Sequence, residues 1–161
     1  MTAELARPVA ILRLVEGRSD SDELADMLFE LRVPGLDTRR ATARITRAIV
    51  EWAVAKGWSP RTEARVDVPD VRANAQLGFM DVLVRRGDGL PDLAIEIDSA
   101  DKPWSVIKLQ HAAAAGMSAI WVRWGDEDWA GVYDEVDVIQ LPLNKHPRRR
   151  QSGAQVPVWV K

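Results

Sequence analysis

The stretch GFMDVLVRRGDGLPDLAIEID, residues 78–98, decides how this chain reads. In its second half Leu93, Ile95 and Ile97 fall on one side of an extended strand. Glu96 and Asp98 share the other side, because successive side chains alternate along a strand. In its first half Asp81 sits in the middle of an apolar run, Phe79-Met80 before it and Val82-Leu83-Val84 after it. A carboxylate there is costly unless a cation or hydrogen bonds compensate it. Gly87-Asp88-Gly89 is a turn of the kind that joins antiparallel strands. Pairing across that turn brings Asp81 and Glu96 close enough to share a metal ion. With Asp98 they form a set of hard oxygen donors, which suits Mg²⁺ or Mn²⁺ better than zinc. Such an ion polarises a phosphate, lowers the pKa of a bound water and shields the charge of the transition state.

Working outward, the segments on either side predict an α/β fold. Upstream, apolar residues recur at helical spacing over 4–15 and again over 21–31, where Ser21 is placed to cap and Leu24, Met27, Leu28 and Leu31 form the buried stripe. Pro34-Gly35 breaks the pattern. A third helix is expected over 38–56, with Ile45, Ile49, Trp52 and Ala53 along one side and Gly57 as its stop. Residues 64–68 alternate like a half-exposed strand ahead of the two strands already read. Downstream, Pro103 opens a helix that Gly116 ends, and 118–124 is a strand rich in branched and aromatic residues. One or two further strands are expected in 132–141, and an edge strand at 156–160. The organisation expected is a helical extension over 1–35 and an α/β domain over 36–161.

This order resembles the PD-(D/E)XK, or restriction endonuclease-like, nuclease superfamily. That family has a leading helix, a three-strand meander carrying an Asp and then a Glu-X-Lys, a crossover helix and a further parallel strand. GFMDVLVRR matches the first acid with Asp81, LAIEID the second with Glu96, PWSVIKLQHAAAAG the crossover helix and SAIWVRW the strand after it. The resemblance covers about residues 41–124 and implies a restriction endonuclease-like core. It also implies metal-dependent hydrolysis of phosphodiester bonds in DNA, with Mg²⁺ or Mn²⁺ on Asp81, Glu96 and Asp98, and with Glu51 of the leading helix as a further metal ligand. The chain departs from the pattern at Asp98, which stands where the family carries its lysine. Some members recruit a lysine from the neighbouring helix. Lys108 is the candidate for that catalytic role here, with Lys102 second. Pro91-Asp92 spells the family's namesake dipeptide, but it lies too near Glu96 to come from the preceding strand.

Composition narrows the alternatives. The chain has 161 residues, a formal charge of −2 and no cysteine, which excludes disulfides, thiolate catalysis and sulfur-bound zinc. With only His111 and His146, a histidine cage for zinc is excluded as well. Gln110 and His111 read as polar positions on a helix surface. No early run resembles a signal peptide and none is long enough to span a bilayer, so the expectation is a cytoplasmic protein without membrane contact or organic cofactor. DNA is the expected partner, gripped by the basic run Lys145, Arg148, Arg149 and Arg150. A homodimer would supply the two sites that cutting both strands requires. Trp104, Trp121, Trp124 and Trp129 offer stacking surfaces for bases, with core packing as the default. Two rival readings remain. One is a catalytically degenerate nuclease-fold module that binds nucleic acid or a protein partner without cleavage. The other is a regulator whose N-terminal helices bind DNA while the α/β part senses a ligand.

Overall fold

A computed structural model describes residues 19–31, 36–70, 76–87, 89–125 and 131–142. The helix expected over 4–15, the break at Pro34-Gly35, the basic run at 145–150, Trp129 and the strand expected at 156–160 lie outside the described residues. The elements run α1 (Asp20–Phe29), α2 (Thr38–Ala55), β1 (Ser59–Asp70), β2 (Gln76–Arg85), β3 (Leu93–Asp98), α3 (Pro103–Ala114), β4 (Ser118–Trp124) and β5 (Val136–Leu141). The strands make one five-stranded sheet in sequence order. β1, β2 and β3 pair antiparallel, whereas β3, β4 and β5 pair parallel. The chain is therefore an α/β fold built on a mixed sheet.

Helices cover both faces. α2 begins where the Asp37 carboxylate accepts from the Arg40 amide at 2.9 Å, and it buries Ala41, Ile45, Ile49, Trp52 and Ala53 on one side. It closes as a Schellman motif: the Gly57 amide donates to the Val54 carbonyl and Trp58 to Ala53, with Gly57 at φ +77°. These side chains pack with Val82, Val84, Leu93, Ile95, Ile97, Ile120 and Val122. On the other face α3 buries Val106, Leu109 and Ala112 against Met80, Leu83, Ala94, Ala119 and Trp121. β3, central between β2 and β4, is buried at every residue. That is what a strand covered by helices on both sides requires.

Two boundaries differ from expectation, each for a local reason. The cap of α1 is Ser19, whose hydroxyl accepts from the Asp22 amide, rather than Ser21. β1 starts five residues early, at Ser59, because an edge strand tolerates Pro60 and its exposed Arg61, Thr62 and Glu63 show no apolar alternation. Within 132–141 one strand forms, β5, within the one or two expected, preceded by Glu135 at φ +63°.

α1 comes from the 1–35 segment, yet Leu24 and Leu28 are wholly buried in the same core as α2 and the sheet. Truncating either to Ala should lower the unfolding free energy by about 2–5 kcal/mol, as for other buried leucines. Urea denaturation followed by tryptophan fluorescence measures it. An unchanged midpoint would show that α1 contributes nothing to the core.

Candidate active site

The pairing of β2 with β3 stops one step short of the acids. Rungs form at Val84↔Leu93, Leu83↔Ala94 and Val82↔Ile95, and the next pair in register is Asp81 with Glu96. Here side chains replace the backbone acceptors. The Asp81 amide donates to Glu96 Oε1 at 3.2 Å, and the Ile97 amide donates to Asp81 Oδ2 at 2.8 Å. Each carboxylate thus bridges to the opposite strand, and the two strands part at this level. On the other side of β2, Glu63 stands between the rungs Thr62↔Val82 and Ala64↔Met80, opposite Asp81, at φ +46°. A left-handed residue other than glycine costs about 1–2 kcal/mol, so the edge strand is strained here.

Lys108 reaches this point from the first turns of α3. It lies on the buried face with Ser105, Leu109 and Ala112, and its Nζ donates to Glu96 Oε1 and to the Phe79 carbonyl, both at 2.7 Å. Asp98, two residues beyond Glu96 on the same face, is held differently. Its Oδ1 pairs with Lys102 Nζ at 2.7 Å and its Oδ2 accepts from Trp121 Nε1 at 2.9 Å. A cleft of about 540 Å³ opens over these groups, lined by Asp81, Glu96, Asp98, Lys102 and Lys108 and walled by Thr38 and Thr42 of α2. That size is within the range of ligand-binding clefts.

The electrostatics follow from burial. Leaving water raises the Asp81 carboxyl above the usual aspartate range. For Glu96, burial and then the negative charge of Asp81 raise the pKa from 4.5 to about 7, against the opposing pull of Lys108. Lys102 is raised, chiefly by its hydrogen bond to Asp98. The pair of acids is thus short of positive charge even with an ammonium in contact.

Of the residues singled out in the sequence, Asp81, Glu96, Asp98 and Lys108 converge on this cleft. Glu51 does not: it is exposed on α2 and lines a separate hollow with Arg40 and Arg44. The positions of α2 that do face the acids are Thr38 and Thr42, one turn apart. Gln110 and His111 are exposed on α3. Trp121 and Trp124 are core residues, and Trp104 is half-buried in the cleft wall. Glu63 carries no sequence signal, because nothing in Arg61-Thr62-Glu63 marks its left-handed backbone opposite Asp81. No family model matches the chain, and no curated protein or solved structure matches it.

The raised Glu96 pKa sets a pH dependence. Between pH 4.5 and about 7 the folded chain holds a proton on Glu96 that the unfolded chain has released. Stability therefore falls as pH rises through that window. In chelator, Glu96→Gln should remove a decline on the order of 2–3 kcal/mol between pH 5 and pH 8. Urea midpoints at the two pH values measure it, and equal declines in both proteins would assign the effect to another group.

Proposed function

We propose that this chain is a metal-dependent nuclease with a restriction endonuclease-like core, hydrolysing phosphodiester bonds in DNA. One observation carries the reading: Asp81 and Glu96 meet where β2 and β3 part, with Lys108 bonded to Glu96. The order of elements supports it, since a helix, an antiparallel meander, a crossover helix and a parallel strand follow one another from α2 to β4.

The donor set fits a hard divalent cation. Among the described residues no three acidic, histidine or cysteine side chains gather into a ligand cage. Mg²⁺, however, commonly binds through one or two carboxylates and completes its shell with water and substrate phosphate. Asp81 and Glu96 would hold it, and the raised pKa of Glu96 marks a place where added positive charge is favourable. When bound, Mg²⁺ or Mn²⁺ would polarise the scissile phosphate and acidify a water.

The chain's own groups have separate tasks. Lys108 fixes the Glu96 carboxylate and brings an ammonium beside the cleft, where it can stabilise charge developing on phosphate oxygens. It is anchored by the Phe79 carbonyl, so its position does not depend on substrate. Asp98, with both oxygens engaged, holds Lys102 at the cleft mouth. The second reading, a module that binds without cutting, draws on this same Asp98, because it occupies the place of the family's lysine.

Incubation of supercoiled plasmid with the protein and Mg²⁺ or Mn²⁺ tests the proposal. Nicking or linearisation is expected, with loss in chelator and in Asp81→Ala and Glu96→Ala. Lys108→Ala should slow cutting by about 10²–10³-fold, the scale for removing one electrostatic stabiliser. Cutting that persists unchanged in both acid variants would overturn the assignment of the site. Retarded migration of DNA with no cleavage under either metal would favour the binding module.

A further inference from the structure

We infer that the exposed face of α2 is a phosphate-binding ridge for nucleic acid, running directly into the cleft at Asp81. The inference rests on the proposed function only for what happens at the end of that path. Its basis is a local excess of positive charge in a chain whose formal charge is −2. α2 carries Arg39, Arg40, Arg44 and Arg47 and one acid, Glu51, near its far end. All four arginines are exposed. Only Arg40 has an ion pair among the described residues, a solvent-exposed contact at 3.6 Å with the capping Asp37. Surface helices usually intersperse acids at the i+4 positions, which offset such charges. Here Arg39, Arg40 and Arg44 have Ala43, Arg44 and Ala48 at those positions, and only Arg47 has an acid, Glu51, so the face keeps a positive excess towards any polyanion.

The shape matches the charge. At about 100° per residue, Arg39 falls on the flank towards the acids, Arg47 near the crest, and Arg40 and Arg44 on the far flank. A hollow lies along each flank. One, of about 730 Å³, is edged by Arg39, Thr42, Thr46, Arg47 and Glu63 and reaches Asp81. The other, of about 520 Å³, is edged by Arg40, Arg44, Arg47 and Glu51. Ala43 keeps the surface between Arg39 and Arg47 low, so a sugar–phosphate backbone can approach closely. The first hollow shares Thr38, Thr42 and Asp81 with the cleft over Glu96, making one continuous path from the arginines to the acids. Threonine hydroxyls and arginine guanidinium groups are among the side chains that bind phosphates. Glu63 on the rim is the one acid of the path outside the cleft.

The test measures binding, not cutting. Fluorescence anisotropy of a labelled duplex oligonucleotide is titrated in chelator at several salt concentrations. Removing one arginine–phosphate pair should lower the slope of log K against log salt by about 0.9. Replacing Arg39, Arg44 and Arg47 together with Gln is expected to reduce the slope by between about two and three. The control is Arg61→Gln with Arg85→Gln, exposed residues of β1 and β2 away from α2, which should change it little. An unchanged slope in the triple variant, or an equal drop in the control, overturns the inference. Circular dichroism confirms that the helix survives. Cleavage that fails while the ridge still governs binding counts against the nuclease and leaves the ridge intact. Cleavage that depends on Asp81 while the slope ignores the ridge does the reverse.

Discussion

The exchange of hydrogen bonds between Asp81 and Glu96 governs the rest of this molecule. Two carboxylates accept backbone amides from each other's strands, Asp81 to Glu96 and Ile97 to Asp81, at the level where ordinary pairing ends. The amides are satisfied, as buried donors must be. The strands nevertheless separate, and the opening becomes a cleft. The arrangement also concentrates negative charge in a partly dry place. Burial raises both acids, the charge of Asp81 raises Glu96 further and that of Asp98 adds to Asp81, and Lys108 relieves only part of that strain. A site with a standing demand for positive charge is the consequence.

The rest of the structure holds that opening rigid. β3 is clamped between neighbours on both sides and helices on both faces, so Glu96 has little freedom. Asp98 fastens the start of the crossover through Lys102 and ties it to Trp121 in β4. Towards the other end of the sheet, Lys56 lies over the rings of Trp52 and Trp58 at 5.3 and 4.7 Å and bonds Asp20 and Glu23 of α1. Arg86 joins Asp20, the Pro91 carbonyl and Ser118. This second network staples α1 to the sheet away from the acids. Charge therefore serves different ends at the two levels: closed and matched under α1, open and under-compensated at Asp81.

Much of this is legible in the chain because its signals are local. Leu93, Ile95 and Ile97 alternate with Glu96 and Asp98, and the two sets do face opposite helices. The two glycines of the turn at 87–89 mark an antiparallel connection, and Gly57 and Gly116 mark the ends of α2 and α3. Asp81 stands out because a lone acid in an apolar run needs an explanation within the fold. Glu51 shows the limit of the same logic. Helical spacing alone does not say which residues of α2 meet the cleft, and it is Thr38 and Thr42 at its start that line it. The arginines of α2 are inconspicuous for a related reason. They are spread over two turns among apolar residues, whereas the run at 145–150 is contiguous, and only a folded helix gathers them onto one surface.

Alone, the sequence determined the periodicities: which segments are helices and strands, which faces are apolar, and where acids interrupt them. Those follow from backbone geometry acting over a few residues. Only the tertiary structure decided which charged groups become partners. Lys108 meets Glu96 twelve residues away, Asp98 goes to Trp121, Glu63 lies opposite Asp81 in a left-handed conformation, and Leu24 and Leu28 join the common core. Each depends on how whole elements are placed: the path of the crossover helix for Lys108, the sheet order for Asp98 and Glu63, and the docking of α1 for Leu24 and Leu28. Contacts between distant residues are set by packing of whole elements, which no local pattern records.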